Sequence, residues 1–215
     1  MSPRRAKAVG GRVGDDPATA LREHLIDATE GLLTGASIAA ITTRDIARAA
    51  GVSDGVLYNY FDDKTALILA ALVRRYRRLA RRFHDALPQA GTATVEENLV
   101  AMTGGLLEVL TEALPTIAGL LTEPALLHRL IDAIHRDELS PQLMEARIGD
   151  YMRDEQRLGR LPAATDVTAA GTLLMGAVVV LALGRQFGPA PSAVSPSEAV
   201  RPTVATVLRG LAQER

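Results

Sequence analysis

Residues 42–64, TTRDIARAAGVSDGVLYNYFDDK, place two helix starts around one helix stop, and that spacing leaves few folds open. The Thr42 hydroxyl can accept from a backbone N–H that the first helix leaves unpaired, and Asp45, three residues on, completes a capping-box pattern. Ile46, Ala47 and Ala50 form one apolar stripe on a helix of about two turns. Gly51 falls where a helix stops in a left-handed conformation, which is cheap only for glycine. Val52 turns inward and Ser53 stands where it can cap a second helix, buried through Leu57 and Phe61. Gly55, Tyr58 and Asn59 share the opposite face. A helix this short is unstable alone, so both must belong to a larger all-helical unit.

The exposed face of the second helix offers a missing side chain, a phenol and an amide. That suits close approach to a polar partner, with one helix bracing and the next lying in a major groove. The order Thr–x–x–x–Ile–Ala, Gly–Val–Ser, Gly–x–Leu–Tyr, Phe and Lys64 resembles the DNA-binding signature of the tetracycline-repressor (TetR) family of bacterial transcription regulators. The resemblance implies contacts to duplex DNA from Thr42, Thr43, Arg44, Ser53, Gly55, Val56, Tyr58, Asn59, Tyr60 and Lys64. Arg44 and Asn59 are the expected base readers, through their bidentate capacity toward guanine and adenine. Thr42, Thr43, Ser53, Tyr58, Tyr60 and Lys64 would hold phosphates. Asp54 departs from the neutral or basic residue common in the family; it can accept from a cytosine amine or cap its helix.

Charge supports that placement. Residues 1–87 hold fourteen Lys and Arg against ten Asp and Glu, whereas residues 88–215 hold ten against fifteen. The basic half carries the motif, as phosphate binding needs. The absence of Cys excludes disulfides and thiolate chemistry. The apolar run Ala169–Gly184 falls short of a membrane span, and the N-terminus lacks a signal-peptide core. The expectation is a cytoplasmic bacterial protein, nucleoid-associated when bound to DNA, with no membrane role and no cofactor.

Along the chain, residues 1–17 read as a basic, disordered tail, and 18–64 as a DNA-binding domain whose first helix runs from Thr19 to Leu33. Residues 65–87 form a connecting helix capped by Asp63, with Leu72, Tyr76, Leu79 and Phe83 in one stripe. Six arginines, Arg74, Arg75, Arg77, Arg78, Arg81 and Arg82, surround that stripe, either as a solvated face or as a second DNA contact. Pro88–Ala93 is a linker. Residues 94–215 carry further helices: Thr94 and Glu97 box the start of one that Pro115 ends, followed by Thr122–Glu138, a helix from Ser140 to Gly159, Asp166–Phe187 and Pro196–Gln213. The fold class is all-α, with about nine or ten helices.

Asp166–Phe187 is apolar nearly all round, which calls for burial on more than one side. With the last helix it resembles the family's dimer surface, here Leu173, Leu174, Gly176, Ala177, Val180, Leu181, Val200, Val204, Val207, Leu208 and Leu211. A homodimer would present two recognition helices to half-sites about 34–36 Å apart in a palindromic operator. Met102, Leu106, Leu110, Leu120, Leu127, Ile131, Met144, Ile148 and Tyr151 resemble the lining of the family's ligand cavity, implying a small hydrophobic effector that releases a repressor. A ligand-independent regulator or an activator fits the same residues. His128, Asp132 and His135 share one helix face and admit three readings: a solvated face, a polar cavity wall, or the metal site of a hydrolase. No glycine-framed nucleophile accompanies them, and the chain is expected not to be an enzyme.

Overall fold

A computed structural model describes residues 16–33, 38–136, 141–188 and 194–211, and every structural statement below concerns these. They form α1 (Pro17–Leu32), a 3-10 turn (Ile38–Ala40), α2 (Thr43–Ala50), α3 (Asp54–Leu57), α4 (Lys64–Asp85), α5 (Val95–Leu120), α6 (Pro124–Arg136), α7 (Pro141–Arg157), α8 (Val167–Phe187) and α9 (Pro196–Leu211). The described residues contain no strand, and the fold is all-α. The expected tail falls mostly on residues 1–15, outside the described set.

The chain divides into two compact units, and the division falls inside α4 rather than at the 88–93 linker. One unit runs through Arg75 and includes Gly119–Leu130; the other holds Tyr76–Ala118 and the chain from Ile131. In the first, α1 packs on α2 and α2 on α3. Leu25, Ile46, Leu57 and Phe61 are buried at the helical spacing expected of them, and Leu67 and Ile68 of α4 are buried as well. In the second, one cluster joins Leu79 and Phe83 of α4 to α5, α7, α8 and α9. Helices α5 and α9 approach so closely that a Cβ on Gly104 would sit 2.8 Å from the Ser197 hydroxyl and 3.2 Å from its backbone.

Two sequence expectations need correction. Pro115 does not end α5, which continues through it to Leu120. A proline inside a helix removes one hydrogen bond and crowds the preceding turn, at a cost of about 3 kcal/mol. Ala113 and Leu120, on either side of it in the same helix, are buried. Second, although the run Ala169–Gly184 is short, α5 and α8 are each long and apolar enough to cross a membrane by length and composition alone.

A buried polar node ties the 88–94 connection to α7. Glu155 is fully buried; its carboxylate accepts from the Tyr151 hydroxyl at 2.6 Å and from the Gly91 N–H at 3.2 Å, and lies 3.4 Å from Arg160 Nε. Arg160 in turn donates to the Ala93 carbonyl. Burial, and then the bond to Glu155, push the Tyr151 phenol well above its ordinary range.

Tyr76, on the same unit, is pushed up to about 12 by burial alone. A phenol whose folded pKa is raised contributes stability that is intact below its ordinary value of 10.0 and is lost as pH climbs through about 12. Tyr76→Phe should therefore flatten the alkaline loss of stability. Urea midpoints measured on either side of pH 10 check this.

Candidate nucleic-acid interface

The 42–64 motif is built by local signals. Thr42 is the N-cap of α2: its hydroxyl accepts from the Asp45 N–H at 3.2 Å, while Asp45 accepts from the Thr42 N–H at 3.0 Å and the Thr42 hydroxyl at 2.6 Å. These bonds from Thr42, side chain before backbone, hold the Asp45 carboxyl below its ordinary range, with Arg48 adding a smaller pull. Gly51 closes α2 at φ 67°, in the left-handed region. Val52 N–H then returns to the Ala47 carbonyl at 3.0 Å, so the turn is hydrogen-bonded on both sides.

Helix α3 is a single turn, Asp54–Leu57, and Ser53 stands at its N-cap without making a side-chain capping bond. The capping role expected of the Ser53 side chain is thus not performed; its backbone carbonyl instead accepts from the Val56 N–H at 3.0 Å. Leu57 and Phe61 are buried, while Gly55, Tyr58 and Asn59 are exposed together. A Cβ added at Gly55 would meet nothing within 4 Å, so packing inside the chain does not call for a glycine there. Val56, Tyr60 and Thr43 are half-buried.

All three cations of the motif have a polar neighbour. Arg44 Nε lies 3.6 Å from Asp54 Oδ2, Arg48 lies 3.4 Å from Asp45, and Lys64 Nζ donates to the Ile41 carbonyl at 2.8 Å. Asp54 therefore pairs with Arg44 and does not cap α3. Lys64 fastens the start of α4 to the chain just before α2, with two of its three protons left over. Thr42, likewise, spends its hydroxyl on the cap.

In the same unit, Arg74 of α4 meets a row of acids on α1. Its guanidinium donates to Glu23 at 3.3 Å, to Glu30 at 3.1 Å and to Asp27. Farther along α4, Arg82 lies 2.9 Å from Glu112 of α5. At these two positions the arginines serve as bridges between helices.

The remaining expected sites separate in space. Met102, Leu106, Met144, Ile148 and Tyr151 are buried together in the core of the second unit, with Leu110 packed against them. Leu120 and Leu127 belong to the first unit, and Ile131 is exposed. Of the expected dimer residues, Leu174, Val200 and Val204 are buried inside the chain where α8 meets α9, which removes them from any surface. Ala177, Leu181, Val207 and Leu208 are half-buried, and Leu173, Gly176 and Val180 are exposed; the Leu211 side chain lies outside the described residues. Phe187, which sequence reasoning passed over, joins the exposed stripe at 71% exposure. His128, Asp132 and His135 are all exposed, and no group of three His, Cys, Asp or Glu among the described residues could hold a metal ion.

Residues 25–71 match the profile of bacterial regulatory proteins of the tetR family. The chain is similar to the HTH-type transcriptional regulator BetI of Brucella canis, 30% identical over 180 residues that make up 81% of this chain and 86% of that protein. It is also similar to BetI of Cronobacter sakazakii, 36% identical over 98 residues, and there it spans only 46% of the relative's length. Among solved structures, a TetR-family regulator from Mesorhizobium loti superposes with a TM-score of 0.73 at 18% identity, over 92% of this chain and 98% of that one.

Proposed function

Because the chain belongs to the tetR family of bacterial regulatory proteins, we propose that it binds duplex DNA sequence-specifically and acts in the cytoplasm as a homodimeric transcription repressor. The observation that carries the reading is the division of the 42–64 motif into two faces. Ile46, Leu57 and Phe61 are buried, and Gly55, Tyr58 and Asn59 are offered together to solvent. One single-turn recognition helix reads few bases, so two copies on a palindromic operator supply the rest. Arg44 and Asn59 are the base readers, and Ser53, Tyr58 and the spare protons of Lys64 serve phosphates.

The effector is a small hydrophobic molecule taken up by the second unit. The aliphatic interior shared by Met102, Leu106, Met144 and Ile148 supports this chemistry, since those side chains supply no charge. Helix α4 belongs to both units, so it is the element through which a coupling free energy of about 1–3 kcal/mol would pass.

The test is binding of the full chain to duplex DNA, by footprinting upstream of its own gene with and without candidate hydrophobic ligands. A sequence-independent response, or no duplex affinity, would sink the reading. Gly55 sharpens it. Gly55→Ala should stabilise the fold by about 0.5 kcal/mol, because the added methyl meets nothing, yet weaken specific duplex binding about tenfold by keeping the backbone from the groove. Thermal melts and fluorescence anisotropy read the opposite signs.

A further inference from the structure

The ion pair between Arg44 and Asp54 spans the turn of the motif, from the second residue of α2 to the first residue of α3. Arg44 is 83% exposed and Asp54 54%, so the pair contributes little to stability. Its geometry is more informative than its energy. The carboxylate approaches Nε, one flank of the guanidinium. An arginine has two forks with which to grip a pair of acceptors, one at Nε with a terminal nitrogen and one made of the two terminal nitrogens. A carboxylate at Nε leaves the terminal fork free, and that fork fits the O6 and N7 acceptors of guanine.

We propose that Asp54 is a positioning residue for Arg44 and, through it, a determinant of operator specificity. The inference rests on the DNA-binding reading above. A carboxylate 3.6 Å from Nε biases the exposed guanidinium toward its own side of the turn, so less rotamer freedom is left to lose when it docks. A loose guanidinium can also swing to the nearest phosphate and hold any sequence equally well. A carboxylate beside it makes that swing unfavourable twice over, by retaining the cation and by repelling the phosphate. Specificity rises while non-specific affinity falls, which is discrimination by an added repulsion.

The experiment selects bound sequences from a pool of random duplexes about two turns long. It uses the full-length wild type, Arg44→Ala, Asp54→Ala, Asp54→Asn and the Arg44→Ala/Asp54→Ala double variant. Wild type should show a guanine column that Arg44→Ala erases. In Asp54→Ala the preference for guanine in that column should fall about tenfold, the other columns should hold, and affinity for an unrelated duplex should rise about threefold at low salt. Asp54→Asn, which keeps an acceptor and loses the charge, should fall between. Removing Asp54 from Arg44→Ala should change no column further, since the two act as one unit. Equal guanine preference in Asp54→Ala and wild type would overturn the positioning role while leaving DNA binding intact, as would an additional column loss in the double variant. Failure of wild type to enrich any sequence would overturn both.

Discussion

Replacing Val180 by glutamate is expected to convert a dimer to a monomer and to cut operator affinity by at least about 100-fold, with the protomer still folded. Helix α8 has two apolar faces with different duties. Leu174, Val178 and Ala182, four apart, are 1%, 1% and 0% exposed, and they fill the core. Leu173, Val180 and Phe187, seven apart, are 64%, 68% and 71% exposed, with Gly176 and Gly184 between them. Seven residues are two helical turns, so the exposed set is one straight stripe whose glycines allow close approach. In a two-fold interface the same substitution enters twice. Two carboxylates buried without partners cost at least about 3 kcal/mol together, or about 100-fold in an equilibrium constant. Light scattering reads the mass and anisotropy reads the duplex. Val178→Glu is the control, because it strikes the core face and should unfold the protomer. A wild-type chain that is monomeric and sediments with lipid vesicles would instead assign the stripe to a membrane, which the length and composition of α8 allow.

That split of α8 shows where sequence reading succeeds and where it stops. Local chemistry was legible: the Thr42–Asp45 and Thr94–Glu97 boxes and the left-handed Gly51 each depend on residues within a few positions. So did the buried and exposed faces of the recognition turn. Helix α8 offered no such contrast, because a helix apolar on every side has no periodicity to separate Leu173 from Leu174. Pro115 marks the limit of a local rule, because its local cost is real and yet α5 continues past it. Pairs distant in sequence were invisible. Arg44 with Asp54, Glu155 with Gly91, and Arg74 with three acids of α1 are brought together only by packing. Nothing local in the arginine row of α4 marks Arg74 as a bridge to α1.

Arg74 also supplies the most discriminating test of how the DNA-binding unit is held. Arg74→Ala is expected to destabilise that unit by about 2 kcal/mol and to leave the salt dependence of duplex binding unchanged. The carboxylates of Glu23, Asp27 and Glu30 lie at i, i+4 and i+7 on α1, so one guanidinium serves all three. Their weights differ. Asp27 and Glu23, 69% and 48% exposed, are screened by water. The Glu30 side chain is 10% exposed against 26% for Arg74, and removing one member of a buried pair costs about 3–5 kcal/mol in full burial. Partial exposure brings the expectation down to about 2. Glu30→Gln in the Arg74→Ala background should recover part of the loss, whereas Asp27→Asn should recover almost none. If Arg74 instead gripped a phosphate, its removal would spare stability and lower the slope of log affinity against log salt by about one. Melting and salt titration on the same variants separate a brace from a contact, and the three acids of α1 favour the brace.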